Sequence, residues 1–339
     1  MQVSTIVPTR DRPKELQVAL RGIASQTHRP MEVIVVDNAS TPENAATNKK
    51  IADTCGIAVV YLFSQDFRGP AAARNVGIQQ ASGALIAFCD DDDYWCDDNH
   101  IKNAVRAFSD DPLLDLRFAN QRSCISDKIV RSVWLPHLVE RLAARVSSDN
   151  AAAVDVSKRD CLAYPGDFGH VNTCVYRTDF LRKIGGFWDG VSYLEDMDLF
   201  VRAVDAARHV QYSPSTVSVH NIPNGAQPTN ASTRVDTYTK QFMAISVANH
   251  LMQQCDTPIA RRYASHVAGF AYRELANSAK SAELNTAAFH FATLALIWMP
   301  SLRWGGYTVV LGMRALPKYL HSSGGRSRRK ALERHLGKR

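Results

Sequence analysis

The sequence lacks several patterns that assign a protein to a function class. No G-x-G-x-x-G and no Walker lysine motif follow the first apolar run, so neither a dinucleotide-dependent dehydrogenase nor a P-loop enzyme is supported. The seven cysteines form no C-x-x-C pair and are odd in number, which argues against a zinc site and against a disulfide framework. The apolar stretch AAFHFATLALIWMP at 287–300 is shorter than the roughly 18 to 20 residues of a membrane span.

The N-terminus, MQVSTIVPTR, also lacks the basic segment and the long apolar segment of a secretory signal. We therefore expect a cytoplasmic protein, in which most of the scattered cysteines are small buried residues of a reducing compartment. The 339 residues, of which 45% are hydrophobic, are enough for one large domain or two of ordinary size.

Excess positive charge is confined to the C-terminus. The net charge is +7, and residues 318–339 contain eight Lys or Arg against one acid, Glu333, so the rest of the chain is neutral. A basic surface for a specific nucleic acid is therefore not expected. With the aromatic helix predicted before it, the tail either binds an anionic membrane surface or is a disordered, solubilising tail on a helical cap or dimerisation domain. A homo-oligomer is left open.

Short β-rich runs alternate with helical periods through the first ninety residues. The runs at 3–9, 31–37, 56–62 and 83–90 are rich in Val, Ile and Leu and apolar on both faces, as strands of a covered parallel sheet are. The segments 13–26, 42–54 and 70–82 between them have helical spacing. This alternation predicts an α/β fold with a doubly wound sheet.

Polar residues follow three of these strands at the edge where such sheets bind ligands. They are Thr9, Arg10 and Asp11 after the first strand, Asp37 and Asn38 after the second, and Asp90, Asp91, Asp92 and Asp93 after the fourth. Carboxylate oxygens are preferred ligands of Mg²⁺ and Mn²⁺, so the aspartate run is a candidate metal site. The alternative is a solvated acidic turn.

The second half of the chain has weaker signals. We expect a strand at 113–121, a helix near 136–147, a flexible loop at 147–158, a structured segment at 169–177, a helix at 194–207 and a strand pair at 209–220. A polar linker at 221–233 precedes a helical region that extends to about residue 320. The predicted division is a sheet domain at 1–222, a helical region at 223–320 and a basic tail at 321–339.

Three further positions carry groups that can act in chemistry. In the segment EDMD at 195–198, Asp198 can pair with Arg202 one helical turn later, which leaves a second carboxylate as a candidate general base. Arg74, one turn into its helix, can pair with a phosphate or a sheet-edge acid, or be a solvated arginine. His220, at the end of a strand, is either a structural histidine or a ligand.

Four ordered segments together resemble the family 2 glycosyltransferases, inverting enzymes of the GT-A fold that include bacterial surface-polysaccharide enzymes. They are STIVPTRDRPKELQVALRGIASQT, EVIVVDNAS, GPAAARNVGIQQASGALIAFCDDDDYW and GGFWDGVSYLEDMDLFVRA, and the resemblance spans about residues 2–220. It implies a nucleotide-sugar donor, with a UDP-sugar as the expected one, and a glycan or lipid-linked glycan acceptor. It also implies Mn²⁺ or Mg²⁺ as cofactor. If the basic tail binds membrane, we expect a lipid-linked acceptor and a peripheral position on the inner face of the cell membrane.

The resemblance assigns roles to individual residues. Pro8, Thr9 and Arg10 match the loop that holds the nucleotide, Asp37 matches the acid that contacts the base, and Arg74 matches an arginine near the nucleotide. Asp90, Asp91 and Asp92 cover the D-x-D motif, whose last acid binds the metal, although four successive aspartates leave the register open. In the catalytic pair of Glu195 and Asp196, Asp196 matches the general base, and His220 matches a histidine near the metal or diphosphate.

Two departures from the family pattern bear on the donor. DNAS stands where DDGS is usual, so Asn38 replaces an acid, and PTRDR stands where PTYNR is more common. Two other readings remain: a nucleotidyltransferase, which would normally have a glycine-rich loop after the first strand, and a non-catalytic scaffold that retains the fold and binds membrane or RNA through its tail.

Overall fold

The computed structural model describes residues 1–145, 153–222 and 235–322, with 316–322 described by backbone alone. The chain divides into two compact units, Met1–Asp236 with Ser246–Ala264 and Thr237–Ile245 with Ser265–Arg339. The first unit thus takes in a short helical stretch beyond the sheet. The predicted boundaries at residues 222 and 320 stay predictions, and the basic tail at 323–339 lies outside the described residues.

The first unit is built on a mixed sheet. The strands of the described chain are β1 Val3–Thr9, β2 Met31–Asn38, β3 Val59–Ser64, β4 Leu85–Phe88, β5 Tyr94–Trp95, β6 Leu114–Ile125, β7 Lys128–Arg131, β8 Val154–Asp155, β9 Val175–Arg177 and β10 His209–Asn221. Their order is β3-β2-β1-β4-β9-β6-β10-β5, with β7 on β6 and β8 on β10. The first four strands are parallel and β9 is antiparallel to both of its neighbours, so the predicted α/β sheet is confirmed.

Helices follow most strands. In the first unit they are α1 Pro13–Ala24, α2 Pro42–Thr54, α3 Gly69–Gln80, α4 His100–Asp110, α5 Pro136–Leu142, α6 Lys158–Leu162, a 3-10 turn Val171–Thr173, α7 Thr178–Lys183 and α8 Glu195–Ala206. The later helices are α9 Thr237–Gln254, α10 Pro258–Ser281, α11 Asn285–Trp298 and α12 Leu302–Ser322. Proline stands in the first turn of α1, α2 and α3, where a missing N–H is tolerated because that donor has no partner within the helix.

The core of the first unit lies between β1 and its helices. All seven residues of β1 are buried, and Leu16, Leu20 and Ile23 of α1 are at most 1% exposed. A Cβ at Gly83 would lie 2.7 Å from the backbone nitrogen of Ser4, so the chain approaches β1 too closely there for a side chain. This packing fixes the strand ends at which the candidate site lies.

The strand register brings the predicted ligand-binding ends together. Thr9 of β1 lies opposite Asp37 of β2, and Ile6 of β1 lies opposite Phe88 of β4. Because these strands are parallel, the residues that follow β1, β2 and β4 leave the sheet at one edge. The predicted convergence of Thr9, Asp37 and the aspartate run is confirmed.

Some predicted elements differ from the structure. The strand pair predicted at 209–220 is one strand, β10, parallel to β6, and its register shifts between Ser213 and Thr216 explain why the pattern is interrupted in the sequence. The loop predicted at 147–158 contains β8 in its described part, while 146–152 lie outside the described residues. The linker at 223–233 also lies outside them. No helix in the described chain has the length and hydropathy needed to cross a membrane.

Candidate active site

Asp91 and Asp92 are held by one cation from the loop after β1. Arg12 Nη1 lies 2.9 Å from Asp91 Oδ1 and 2.9 Å from Asp92 Oδ2. The Thr9 hydroxyl at the end of β1 donates to Asp91 Oδ2 at 2.8 Å. Two predicted binding residues, Thr9 and Asp91, are therefore in direct contact. Arg12 was not among the predicted residues, although it follows the same strand end.

Arg74 joins the aspartate run to the acid pair of α8. Its guanidinium donates from Nη2 to Asp90 Oδ1 at 2.5 Å and from Nη1 to Glu195 Oε1 at 3.0 Å. Arg74 is 5% exposed, so both contacts are shielded from water. Burial alone would raise the pKa of Asp90, but Arg74 holds that pKa below its ordinary value. Of the three readings of Arg74, the structure contains the pairing with a sheet-edge acid, and the burial of Arg74 excludes a solvated arginine.

Asp93 and His220 form a second pair at the end of β10. The His220 Nδ1 lies 2.9 Å from Asp93 Oδ2, and the backbone N–H of Asn221 donates to Asp93 Oδ1 at 2.7 Å. Burial alone would lower the pKa of His220, but the Asp93 carboxylate raises it to about 9. Asp93 belongs to the aspartate run predicted as a metal site, but its pairing with His220 was not predicted.

A second histidine stands beside this pair. The rings of His170 and His220 are 4.9 Å apart, and the Trp134 indole packs edge-on against both. Burial lowers the pKa of His170 to about 4, so its imidazole is neutral. One ligand atom from each of Asp93, His170 and His220 lies within 4.8 Å of the others, a spacing that suits a metal ion.

The charges at this edge do not balance. Five carboxylates, those of Asp90–Asp93 and Glu195, meet two arginines, Arg12 and Arg74, and the His220 imidazole in these contacts, and Asp196 adds a sixth carboxylate beside Glu195. Burial raises the pKa of Asp91 to about 6 despite Arg12. Burial, with repulsion from Asp93 and Asp91, raises the pKa of Asp92 well above its ordinary value. A divalent cation on these hard oxygen ligands would offset the excess negative charge, so the residues fit one.

Asp196 lies at the start of α8, next to Glu195. The residue before the helix, Leu194, has φ 66°, a left-handed conformation that is uncommon outside glycine. Asp196 Oδ1 accepts a hydrogen bond from the Met197 N–H at 2.8 Å. Burial and the neighbouring Glu195 raise the pKa of Asp196 to about 7 against the opposing effect of Arg74. A carboxylate with this pKa can take up a proton near neutral pH.

The other acid of α8 has the structural role that its spacing predicts. Asp198 is fully buried and pairs with Arg202 one turn later, at 2.7 Å from Nη2. Its second oxygen lies 2.7 Å from His250 Nδ1, and the His250 ring stacks on Trp188 at 4.1 Å. The i to i+4 pairing of Asp198 is confirmed, which leaves Asp196 as the acid of this segment without a cation partner of its own among the described contacts.

Three predicted binding residues make other contacts. Pro8 lies within β1, opposite Val36. The Arg10 guanidinium lies 4.1 Å from the centroid of the Phe67 ring. Asp37 is fully buried, and its carboxylate accepts hydrogen bonds from the Ser40 N–H, Asn48 Nδ2 and the Tyr61 hydroxyl. These contacts of Asp37 are internal to the domain, so its contact with a nucleotide base stays a prediction.

Asn38 explains one departure from the family pattern. Its Nδ2 donates to the Gly69 carbonyl at 2.9 Å, and its Oδ1 accepts from the Arg68 N–H at 3.2 Å. Gly69 opens α3, so Asn38 ties the end of β2 to the start of that helix. An aspartate could accept from Arg68 but could not donate to Gly69. The Asn38 amide therefore makes a hydrogen bond that an aspartate at this position could not make.

Part of the chain is similar in sequence to known glycosyltransferases. Residues 4–124 match the family described as Glycosyl transferase family 2. Over 93 residues, 27% of this chain and 36% of the relative, the chain is 31% identical to the Escherichia coli protein named UDP-Glc:alpha-D-GlcNAc-diphosphoundecaprenol beta-1,3-glucosyltransferase WfaP. Eight curated relatives are matched over 13% to 38% of their own lengths, so the chain spans well under half of each.

Solved structures resemble more of the chain. TarS 1-349 of S. aureus in complex with UDP-GlcNAc matches 87% of this chain and 82% of its own, with a TM-score of 0.64 and 18% identity. The Pyrobaculum calidifontis mannosyltransferase PcManGT, in complex with GDP-Man and Mn²⁺, matches 94% and 86%, with a TM-score of 0.54 and 18% identity. At this identity the likeness shows the fold, which is GT-A as predicted. Residues 4–124 of this chain thus match glycosyl transferase family 2, and the fold of the whole chain resembles solved glycosyltransferases.

Proposed function

We propose that this chain is an inverting glycosyltransferase that moves a sugar from a nucleotide-diphosphate donor to a hydroxyl of a glycan or lipid-linked glycan. One observation carries the proposal: Arg74 contacts both Asp90 of the aspartate run and Glu195, the neighbour of Asp196. A group able to take a proton is thereby held beside a cluster suited to a metal and a diphosphate. A non-catalytic scaffold that only retained the fold would need neither a proton acceptor nor a cluster suited to a metal.

Asp196 acts as the general base in this proposal. Its carboxylate takes the proton of the acceptor hydroxyl as that oxygen attacks the anomeric carbon from the face opposite the nucleotide, so the configuration inverts. A pKa of about 7 suits this step because the carboxylate is half ionised near neutral pH and is a stronger base than a solvated aspartate. Glu195, fixed by Arg74, positions the start of α8.

In this proposal the nucleotide-sugar donor binds at the carboxyl edge of the sheet. Bound there, Mn²⁺ or Mg²⁺ would stabilise the negative charge that develops on the leaving nucleoside diphosphate. Asp92 and His220 are the proposed ligands, and the placement of Asp93 and His170 makes them further candidates. Arg12 holds Asp91 and Asp92 in place, and Thr9 orients Asp91. Pro8, Arg10 and Asp37 remain proposed contacts of the nucleotide.

The names and ligands of similar proteins support the substrate classes. The Escherichia coli relative is named for UDP-Glc and for a diphosphoundecaprenol-linked acceptor, and the TarS structure contains UDP-GlcNAc. We propose a UDP-sugar and a lipid-linked acceptor for this chain on that basis. A cytoplasmic position, peripheral on the inner face of the cell membrane, follows from such an acceptor, and a homo-oligomer remains open.

Replacement of the base tests the proposal. Asp196→Asn keeps the shape of the side chain but cannot take the proton, so we expect release of UDP from a UDP-sugar with Mn²⁺ to fall by about 10²- to 10⁴-fold. Binding of UDP, measured by calorimetry, should be unchanged. The matched control is Asp189→Asn, an exposed aspartate in the preceding loop, which should behave as wild type. Full activity of Asp196→Asn would refute the assignment of the base.

A further inference from the structure

The second unit contains a helical hairpin with a packed inner side. Helices α11 and α12 are joined by residues 299–301, and their apolar residues Ala288, Ala292 and Leu311 are fully buried. The Trp304 indole of α12 donates from Nε1 to the Ala292 carbonyl of α11 at 3.1 Å. The inner side of the hairpin is therefore already covered by the other helix.

The outward side of the hairpin is also apolar. Leu302 is 99% exposed, Met313 63% and Val309 57% on α12, and Ile297 is 70% exposed at the end of α11. Leu302, Val309 and Met313 are spaced as one face of a helix. A Cβ at Gly305 or Gly306 would meet nothing within 4 Å, so the backbone there also faces outward. Large apolar side chains grouped in this way on a surface mark an interaction site.

The same region is free of negative charge. The sequence has no Asp or Glu between Glu283 and Glu333. Arg303 and Arg314 are exposed on α12 beside the apolar face. The chain then continues into the basic tail at 321–339, whose cations up to Glu333 are Arg326, Arg328, Arg329 and Lys330. Apolar side chains on a helix flanked only by cations suit a layer that is apolar inside and negative at its surface.

We propose that the outward face of α11 and α12, defined by Ile297, Leu302, Val309 and Met313, lies on an anionic lipid surface. The apolar side chains would enter the boundary between headgroups and acyl chains, and Arg303 and Arg314 would contact the lipid phosphates. A second copy of the chain fits less well, because a symmetric contact on this face would bring the same arginines of two copies together. The proposal goes beyond glycosyl transfer and does not depend on it.

The test is flotation of the full chain with vesicles. One set is phosphatidylcholine alone and the other an equimolar mixture of phosphatidylcholine and phosphatidylglycerol. We expect flotation with the mixture, weaker flotation with phosphatidylcholine alone and a decrease as salt rises, since salt screens the charge attraction. The variant Leu302→Glu with Met313→Glu should bind the mixture at least about tenfold more weakly, because two apolar side chains no longer enter the layer.

A matched control places the same charges elsewhere. Val18→Glu with Ile129→Glu changes two exposed apolar residues of the first unit, at 45% and 56% exposure, and should float as wild type does. If the double variant of α12 fails to give a normal thermal transition, the single variant Leu302→Glu carries the test, since a side chain that is 99% exposed has little part in folding.

Three results would overturn the proposal. The first is absence of wild-type flotation with the mixed vesicles. The second is equal flotation by wild type and the α12 variant, which would assign the binding to the tail. The third is a wild-type dimer in sedimentation that Leu302→Glu converts to a monomer without any effect on vesicles, which would make the face a contact between copies. Donor turnover by Asp196 is measured without vesicles, so each of these results leaves the proposed glycosyl transfer untouched, whereas the first would also count against the peripheral membrane position.

Discussion

The acids at the carboxyl edge have the same chemistry but different partners, and the partner sets the charge of each. Asp90 pairs with Arg74, which keeps its pKa low, whereas burial raises the pKa of Asp196 to about 7. Arg74 forms its ion pair with Glu195 and not with Asp196. The pKa of Asp196 is therefore not lowered by a direct ion pair and stays in the range that suits a general base.

This difference predicts the pH dependence of turnover. Below its pKa Asp196 is protonated and cannot accept the acceptor proton, and above it the carboxylate is free to act. We therefore expect kcat/KM for donor turnover to rise with pH through about 7 and then level off. The affinity for UDP in Mn²⁺ is measured by calorimetry over the same pH range. This measurement separates a change in the catalytic step from a change in nucleotide binding. A rate that is flat from acidic to alkaline pH, with binding unchanged, would contradict the role of Asp196.

Asn38 gives a second prediction at this scale. Asn38→Asp removes the donor to the Gly69 carbonyl and places a negative charge beside it, so the free energy of unfolding should fall by about 1–3 kcal/mol. Urea denaturation measures the change. Asn103→Asp, on an exposed position of α4, is the control and should alter stability by less than about 0.5 kcal/mol. Equal stability of the two variants would show that the Asn38 contact contributes nothing.

At the scale of elements, Arg74 connects three of them: α3, on which it lies, the chain that leaves β4, and the start of α8. Removal of a buried arginine leaves Asp90 and Glu195 as uncompensated charges. Arg74→Ala should therefore lower the free energy of unfolding by about 3–5 kcal/mol, measured by urea denaturation.

The control for Arg74 is an exposed pair. Lys49 and Asp53 form an i to i+4 ion pair whose side chains are 59% and 56% exposed, and Lys49→Ala should change stability by less than about 1 kcal/mol. If Arg74→Ala is as mild as Lys49→Ala, the buried cation does not hold the three elements together, and water must be able to reach the two acids.

The elements themselves were largely predictable. Parallel strands covered on both faces are continuous apolar runs, which is why β1 and β2 were found to within a residue or two. The register shifts in β10 were not predictable, because a bulge changes the alternation of a strand without any residue that signals it. At the site, the nearness of Thr9, Asp91 and Arg74 follows from the parallel topology.

The pairing of individual side chains could not be predicted in the same way. Arg10 and Arg12 follow the same strand and have the same chemistry, yet Arg12 contacts the aspartates and Arg10 stacks on Phe67. The direction of a loop side chain depends on tertiary packing. The pairing of Asp93 with His220 and the position of His170 beside it were missed for a similar reason, since His220 lies on β10, far from both residues in the sequence.

At the scale of the whole molecule, the sheet and the helical hairpin belong to two different compact units, and their surfaces carry different charges. The sheet unit has its excess negative charge at one edge, and the region from Leu284 to Leu332 has cations as its charged residues. A metal and a diphosphate on the first, and lipid phosphates on the second, are complementary to these charges. A protein with a nucleotide-sugar site and a lipid-binding face would be suited to a lipid-linked acceptor.

Calorimetric titration with UDP-, GDP- and dTDP-sugars, in Mn²⁺ and then in EDTA, tests the central claim most directly. Wild type should bind one nucleotide class in Mn²⁺ and lose that binding in EDTA. Asp92→Asn should not bind in either condition, because the proposed metal ligand is missing, while the exposed variant Asp53→Asn should bind as wild type does. Binding by Asp92→Asn equal to that of wild type, or the same affinity in Mn²⁺ and EDTA, would contradict a metal-dependent nucleotide-sugar site at the aspartate run.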